Sequence, residues 1–247
     1  MFELLSCPAL LDVMEQLCGS EVIAAGIYRL RPKLPKRPEG IVPFHQDAGY
    51  FGQCADVHVG PRPGKGGPGY VMTAWVPLME ASLDTGPMAV LPRAHNGGVL
   101  RHYGANVKAP GLCVHPEHFP PGVAPITVPC SVGDALLFPH MTPHRSEAND
   151  SSVIRWGADL RYAPPEAGDW GPSEGGFLAR SASPDRQPEI MRDWRAFVRM
   201  RREHTADPNA PPHGRAWLRW DQESFASPNR RQLERIEEYE GRLAARL

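Results

Sequence analysis

Helical spacing of apolar residues is confined to the two ends of the chain, and the middle is patterned differently. Leu10, Leu11, Met14, Leu17 and Cys18 share one helical face and are followed by Gly19, which predicts a short amphipathic helix over 8–18 with a glycine cap. From there to about residue 163, short apolar runs are separated by Gly, Pro, Asp and Asn. Val22–Leu30 alternates loosely and predicts a strand. VMTAWVPL and MAVL flank the turn-prone SLDTGP and predict an antiparallel pair. ITVPC and ALLFP flank Gly133-Asp134, a hairpin-type turn. HRSEANDSSVIR (144–155) predicts a tight hairpin about Asn149-Asp150 that sets His144 opposite Arg155, and WGADLRYAP then alternates as a last strand. The basic, proline-rich RPKLPKRPEG reads as a connector with solvated charges. Past about residue 164 two helical patterns follow, near 186–204 and 229–246. The expectation is one mainly β domain over 1–247, with its core at about 20–163 and a helical extension at about 164–247.

Composition narrows this picture. Pro 28 and Gly 24 suit many short strands joined by turns. A formal charge of −1 gives no electrostatic reason to expect nucleic acid or an anionic membrane as partner. No apolar run approaches the ~18 residues that span a bilayer. MFELLSCPALL has no basic leader, and the five cysteines are scattered without a CxxC pair. Together these predict a cytoplasmic protein with free thiols. GPRPGKGGPG (60–69) has neither the spacing nor the Ser/Thr of a phosphate loop. The irregular 52–69 and 100–125 segments are candidate substrate loops. His102, His115 and His118 read as surface histidines, and His95 as a turn residue. The 14 arginines against 11 acids in 180–247 read as a solvated face, and Trp217 and Trp220 as residues that dock the tail.

The chemistry-bearing residues are His45-x-Asp47, then His144 and Arg155. Two-residue spacing on an extended chain puts an imidazole and a carboxylate on one face. By itself the pair is equally a hydrogen-bonded His-Asp couple. Of His140 and His144, Pro139 and Pro143 exclude a helical metal pair, so one is the ligand. Two histidines and one carboxylate form the facial triad of non-haem Fe(II) oxygenases, which leaves positions open for a chelating 2-oxo acid and O2. Arg155 supplies a fork for the far carboxylate of that acid. A zinc hydrolase built on the same three ligands would leave Arg155 without a task.

PFHQDAGYF, TAWVPLMEASLDTGPMAVLPRAH and VGDALLFPHMTPHRSEANDSSVIRWGADLRY together resemble the phytanoyl-CoA dioxygenase family over roughly residues 41–162. The resemblance implies a double-stranded β-helix (jelly-roll, cupin-like) core with flanking N- and C-terminal helices. It implies Fe(II) on His45, Asp47 and His144, with 2-oxoglutarate and O2 as cosubstrates. Arg155 and Ser146 then hold the distal carboxylate of 2-oxoglutarate, and Gln46 and Trp75 match positions near it. Asp84-Thr85-Gly86 stands where the family has Glu-Asn-Gly, a change that spares the glycine. Halogenating relatives replace the carboxylate with a small residue, so Asp47 favours hydroxylation of a small-molecule substrate with release of succinate and CO2. A catalytically silent 2-oxoglutarate- and metal-binding protein on the same fold is the alternative. Substrate identity and oligomeric state are not legible.

Overall fold

The computed structural model describes residues 1–49, 71–104, 112–167 and 176–206. The chain opens with α1 (Phe2–Leu5) and α2 (Pro8–Cys18). Pro8 begins α2 where its missing N–H is unneeded, and Gly19 ends it at φ +102. The strands are β1 (Glu21–Ala24), β2 (Arg29–Lys33), β3 (Met72–Pro77), β4 (Met88–Val90), β5 (Tyr103–Gly104), β6 (Leu112–Cys113), β7 (Ile126–Val128), β8 (Leu136–Pro139), β9 (His144–Ser146), β10 (Arg155–Ala163) and β11 (Phe177–Ser181). A helix α3 (Trp194–Ala206) follows.

All pairing is antiparallel. A six-stranded sheet runs β11-β1-β10-β3-β8 with β2 also on β10, and a three-stranded sheet runs β7-β4-β9. Trp75 and Phe138 from the larger sheet pack with Met88 from the smaller one, so the two inner faces share a core. The outer face of the larger sheet is covered by helices. Leu11, Met14 and Cys18 of α2 pack on Val22, Ala74, Ala158, Leu160 and Tyr162. Period-two alternation therefore sorts β10: even-numbered residues face the helices, while 155, 157, 159 and 161 face inward.

Mainly β character, the jelly-roll arrangement and flanking helices match the expectation. The strand pairings do not. β3 and β4 lie in different sheets, as do β7 and β8, and β9 and β10. Each predicted hairpin is a crossover between facing layers. β4 pairs with β7 and β9, whereas β8 and β10 both pair with β3. A turn signal flanked by apolar runs is the same whether the chain returns beside its last strand or climbs to the opposite sheet.

The predicted Val22–Leu30 strand is also two strands, β1 and β2, which meet different stretches of β10. β2 carries Pro32, which an edge strand tolerates because its missing N–H can face away from the ladder. In the helical extension, Pro188 sits in a 3-10 segment, Pro184–Glu189. The helix itself starts later, where Asp193 accepts a hydrogen bond from Ala196 N at 2.7 Å. Phe197 of α3 stacks on Phe2 and Phe177. The second helical pattern, Trp217, Trp220 and the 60–69 loop lie outside the described residues. No described helix is long and apolar enough to cross a membrane. Cys7, Cys18 and Cys130 are free thiols.

Candidate metal centre

The segment before the HxD motif runs antiparallel to β9. His45 and His144 exchange both backbone hydrogen bonds, at 3.0 and 2.9 Å, and Ser146 N donates to Val42 O at 3.2 Å. His144 thus faces His45, not Arg155 as the hairpin reading expected. Each imidazole is fixed through its own neighbourhood. Nδ1 of His45 donates to Pro43 O and Nδ1 of His144 to Thr142 O, both at 2.9 Å. That tautomer turns both Nε2 lone pairs inward. Asp47 lies at the start of a 3-10 turn rather than on a strand. Its Oδ1 sits 3.9 Å from Nε2 of His45 and 4.0 Å from Nε2 of His144. The three ligand atoms lie within 4.8 Å of one another, and all three residues are buried.

Charge states suit a cation. Burial, reinforced by the neighbouring His144, pushes the His45 pKa down to about 3, and burial lowers that of His144 as well. Both rings are neutral near pH 7, as ligation requires. Burial alone would raise the Asp47 carboxyl, but the Arg161 guanidinium outweighs it and holds the group well below the usual carboxylate range. Arg161 donates to Asp47 through Nε at 3.1 Å and Nη2 at 2.9 Å, and Thr73 Oγ1 donates at 2.7 Å. Neither residue was singled out from the sequence. The signal was present for Arg161, because it shares the inward parity of Arg155 on β10.

The same inner face carries the cationic end of the site. Arg155 pairs across the ladder with Lys33 of β2, and both are buried. Arg155 Nη2 donates to Gly86 O at 2.6 Å, and its guanidinium lies 5.1 Å from the Trp75 ring centre. Its Nε is buried with no hydrogen-bond partner. Lys33 Nζ donates to Ser146 Oγ at 2.7 Å and to Gly40 O at 3.0 Å. The RPKLPKRPEG connector is therefore misread as wholly solvated, since its Lys33 faces the site. Asn149 holds this arrangement: its side-chain Nδ2 donates to Lys33 O and Val153 O at 2.9 and 2.8 Å.

Two glycines make room. At Gly157 an added Cβ would meet Arg155 Nη1 at 3.0 Å and Trp75 Nε1 at 3.1 Å. Gly86 has φ +80, and a Cβ there would lie 2.6 Å from Ala148 O. The Asp84-Thr85-Gly86 turn thus needs its glycine twice, for conformation and for contact. Gly86→Ala is expected to lower stability by at least about 1–2 kcal/mol in urea denaturation, from the left-handed backbone alone.

His45, Trp75, His144, Ser146 and Arg155 all line one cavity of about 450 Å³. Gln46 does not. Its amide donates to Gly98 O and Met141 O and accepts from Leu100 N, so its polar atoms are committed to neighbouring loops. Adjacent residues of an extended segment point to opposite sides, and Gln46 stands between two inward neighbours. Two of the three expected surface histidines differ from the structure. His115 is buried, and His102 Nε2 accepts a hydrogen bond from Gln46 N at 3.0 Å.

The sequence profile of the phytanoyl-CoA dioxygenase (PhyH) family matches residues 2–157. The chain belongs to that family. Among its relatives, the 1-deoxypentalenic acid 11-beta-hydroxylase of Streptomyces arenae is 28% identical over 168 residues. That match covers 64% of this chain, which spans about half (54%) of the relative's length. Among solved structures, the apo form of the non-haem monooxygenase ThoJ superposes with a TM-score of 0.60 at 17% identity, covering 81% of this chain and 70% of that one. Its nickel complex gives 0.53 at 16% identity over the same shares. These two superpositions establish the fold. The family match and the His-Asp-His cluster agree in placing a candidate metal site at His45, Asp47 and His144.

Proposed function

We propose that the protein is an Fe(II)- and 2-oxoglutarate-dependent dioxygenase that hydroxylates an unactivated C–H bond of a small molecule. One observation carries the reading: both histidines of a buried His-Asp-His cluster line the same cavity as a buried arginine whose Nε has no partner. The donor set of two neutral imidazoles and one ionised carboxylate fits Fe(II). Arg155 and Lys33, cross-strand partners in the lining of that cavity, fit the distal carboxylate of a dicarboxylate. The Streptomyces arenae relative acts, by its name, on 1-deoxypentalenic acid, which supports a small-molecule substrate.

When bound, iron, 2-oxoglutarate and O2 supply the oxidation: 2-oxoglutarate becomes succinate and CO2, and one oxygen atom enters the substrate C–H bond. The chain's own residues position and shield. His45, Asp47 and His144 would hold the metal through two neutral imidazoles and one carboxylate. The Arg155 fork and the Ser146 hydroxyl orient the cosubstrate, because Ser146 Oγ accepts from Lys33 and Val42 N and keeps its own proton to donate. Trp75 and Phe138 exclude water from that end.

Anaerobic protein with Fe(II) and 2-oxoglutarate is expected to show a weak visible charge-transfer band that His45→Ala abolishes. A band that persists in the variant would remove His45 from the site. Substrate-stimulated succinate release under O2, scanned across a metabolite library, separates an oxygenase from a silent 2-oxoglutarate-binding protein, which would bind without turnover.

A further inference from the structure

A carboxylate has about four lone-pair positions, and three of those on Asp47 are taken by the protein. Oδ2 accepts from Thr73 Oγ1 at 2.7 Å and from Arg161 Nε at 3.1 Å. Oδ1 accepts from Arg161 Nη2 at 2.9 Å. The remaining position is on Oδ1, the oxygen that lies 3.9 and 4.0 Å from the two histidine Nε2 atoms.

We propose that Thr73 and Arg161 are positioning residues that restrict Asp47 to ligation through a single oxygen. The inference rests on the metal reading of the site and adds which residues keep the carboxylate to one oxygen. Three protein atoms on an octahedral metal leave three positions, enough for a chelating 2-oxo acid and O2 together. Were Asp47 to bind through both oxygens, a fourth position would be filled and the cosubstrates would compete.

The cradle is built into the sheet. Thr73 and Arg161 are direct cross-strand partners on β3 and β10, and both are buried. Their donors are therefore set by ladder register and not by loop conformation. A purely structural role for Arg161, as counter-charge to Asp47, would not need the Thr73 hydroxyl. That difference makes the proposal testable.

The probe is Mn(II) alone, bound to the full chain without 2-oxoglutarate. Its water ligands are counted from the broadening of the electron paramagnetic resonance lines in 17O-enriched water. The wild type is expected to hold three waters and Thr73→Val/Arg161→Lys to lose one, with Thr73→Ser retaining all three. The isosteric Thr73→Val alone decides the matter if the double variant does not fold, and a loss is expected there too. Three waters in every folded variant, or two in the wild type, would overturn the proposal. A wild type that binds no Mn(II) would overturn the metal reading itself, a distinct failure that takes this inference with it.

Discussion

Arg155→Ala is expected to weaken 2-oxoglutarate binding to the metal-loaded protein by about 30- to 5,000-fold, corresponding to the roughly 2–5 kcal/mol lost when one partner of a buried charge pair is removed. The size follows from where Arg155 sits. It is buried in the lining of the cavity that His45 and His144 also line, lies against Trp75 and donates a hydrogen bond to Gly86 O. Burial lowers its pKa to about 10, so it stays charged through the neutral range. Arg155→Lys is expected to recover only part of the loss, because an ammonium cannot reproduce the planar fork.

Lys33 adds a pH dependence to the same binding. Burial, and then the neighbouring Arg155, push its pKa from 10.5 down to about 8. Its charge is present below pH 8 and lost above it, so affinity for the dianion is expected to fall as pH rises through that value. The stability sign is opposite. Between about pH 8 and 10.5 the unfolded chain keeps a proton that the folded one has released, so this group's penalty on folding eases as pH rises. Calorimetric titration of 2-oxoglutarate at several pH values checks the affinity and urea denaturation over the same range checks the stability, with Lys33→Met expected to flatten both profiles. An Arg155→Ala protein that binds 2-oxoglutarate normally would end the assignment of this cavity.

The site residues were more legible than the scaffold that joins them. His45, Asp47, His144 and Arg155 could be read because few chemistries ask for that set, yet the hairpin that placed His144 beside Arg155 does not exist. The true partner of His144 is His45 and that of Arg155 is Lys33, and the cavity forms where the two facing sheets bring these pairs together. Local patterning reports the period of a strand and the location of a turn, both of which are the same for a hairpin and for a crossover. Which strand lies alongside which is decided by packing between layers, here Trp75 and Phe138 against Met88.

Lys33 was hidden for a different reason. Three prolines within 32–38 gave its surroundings the look of a loop, and an edge strand is the one sheet position where such a sequence still forms a ladder. Gln46 matched a family position, but its amide is spent on Gly98, Leu100 and Met141. Arg161 was within reach of the parity rule that links it to Arg155, but nothing in the sequence says that the inner face of β10 ends at Asp47.

Asp47→Ala is expected to cost about 3–5 kcal/mol of stability in metal-free protein, the range seen when one member of a buried ion pair is removed and the other stays behind. The cost falls on Arg161, which is 4% exposed and would lose both hydrogen bonds to the carboxylate. Loss of Asp47 alone is a weak packing perturbation, because the side chain is small and polar. The double variant Asp47→Ala/Arg161→Met is therefore expected to be more stable than Asp47→Ala, since it removes the buried charge that has lost its carboxylate and fills the space with an apolar chain of similar length. Urea denaturation of the wild type, both single variants and the double variant, all in a chelator, measures the coupling. A single variant as stable as the wild type would mean that Arg161 finds equivalent compensation elsewhere. The carboxylate would then be held for the metal alone and not also for the fold.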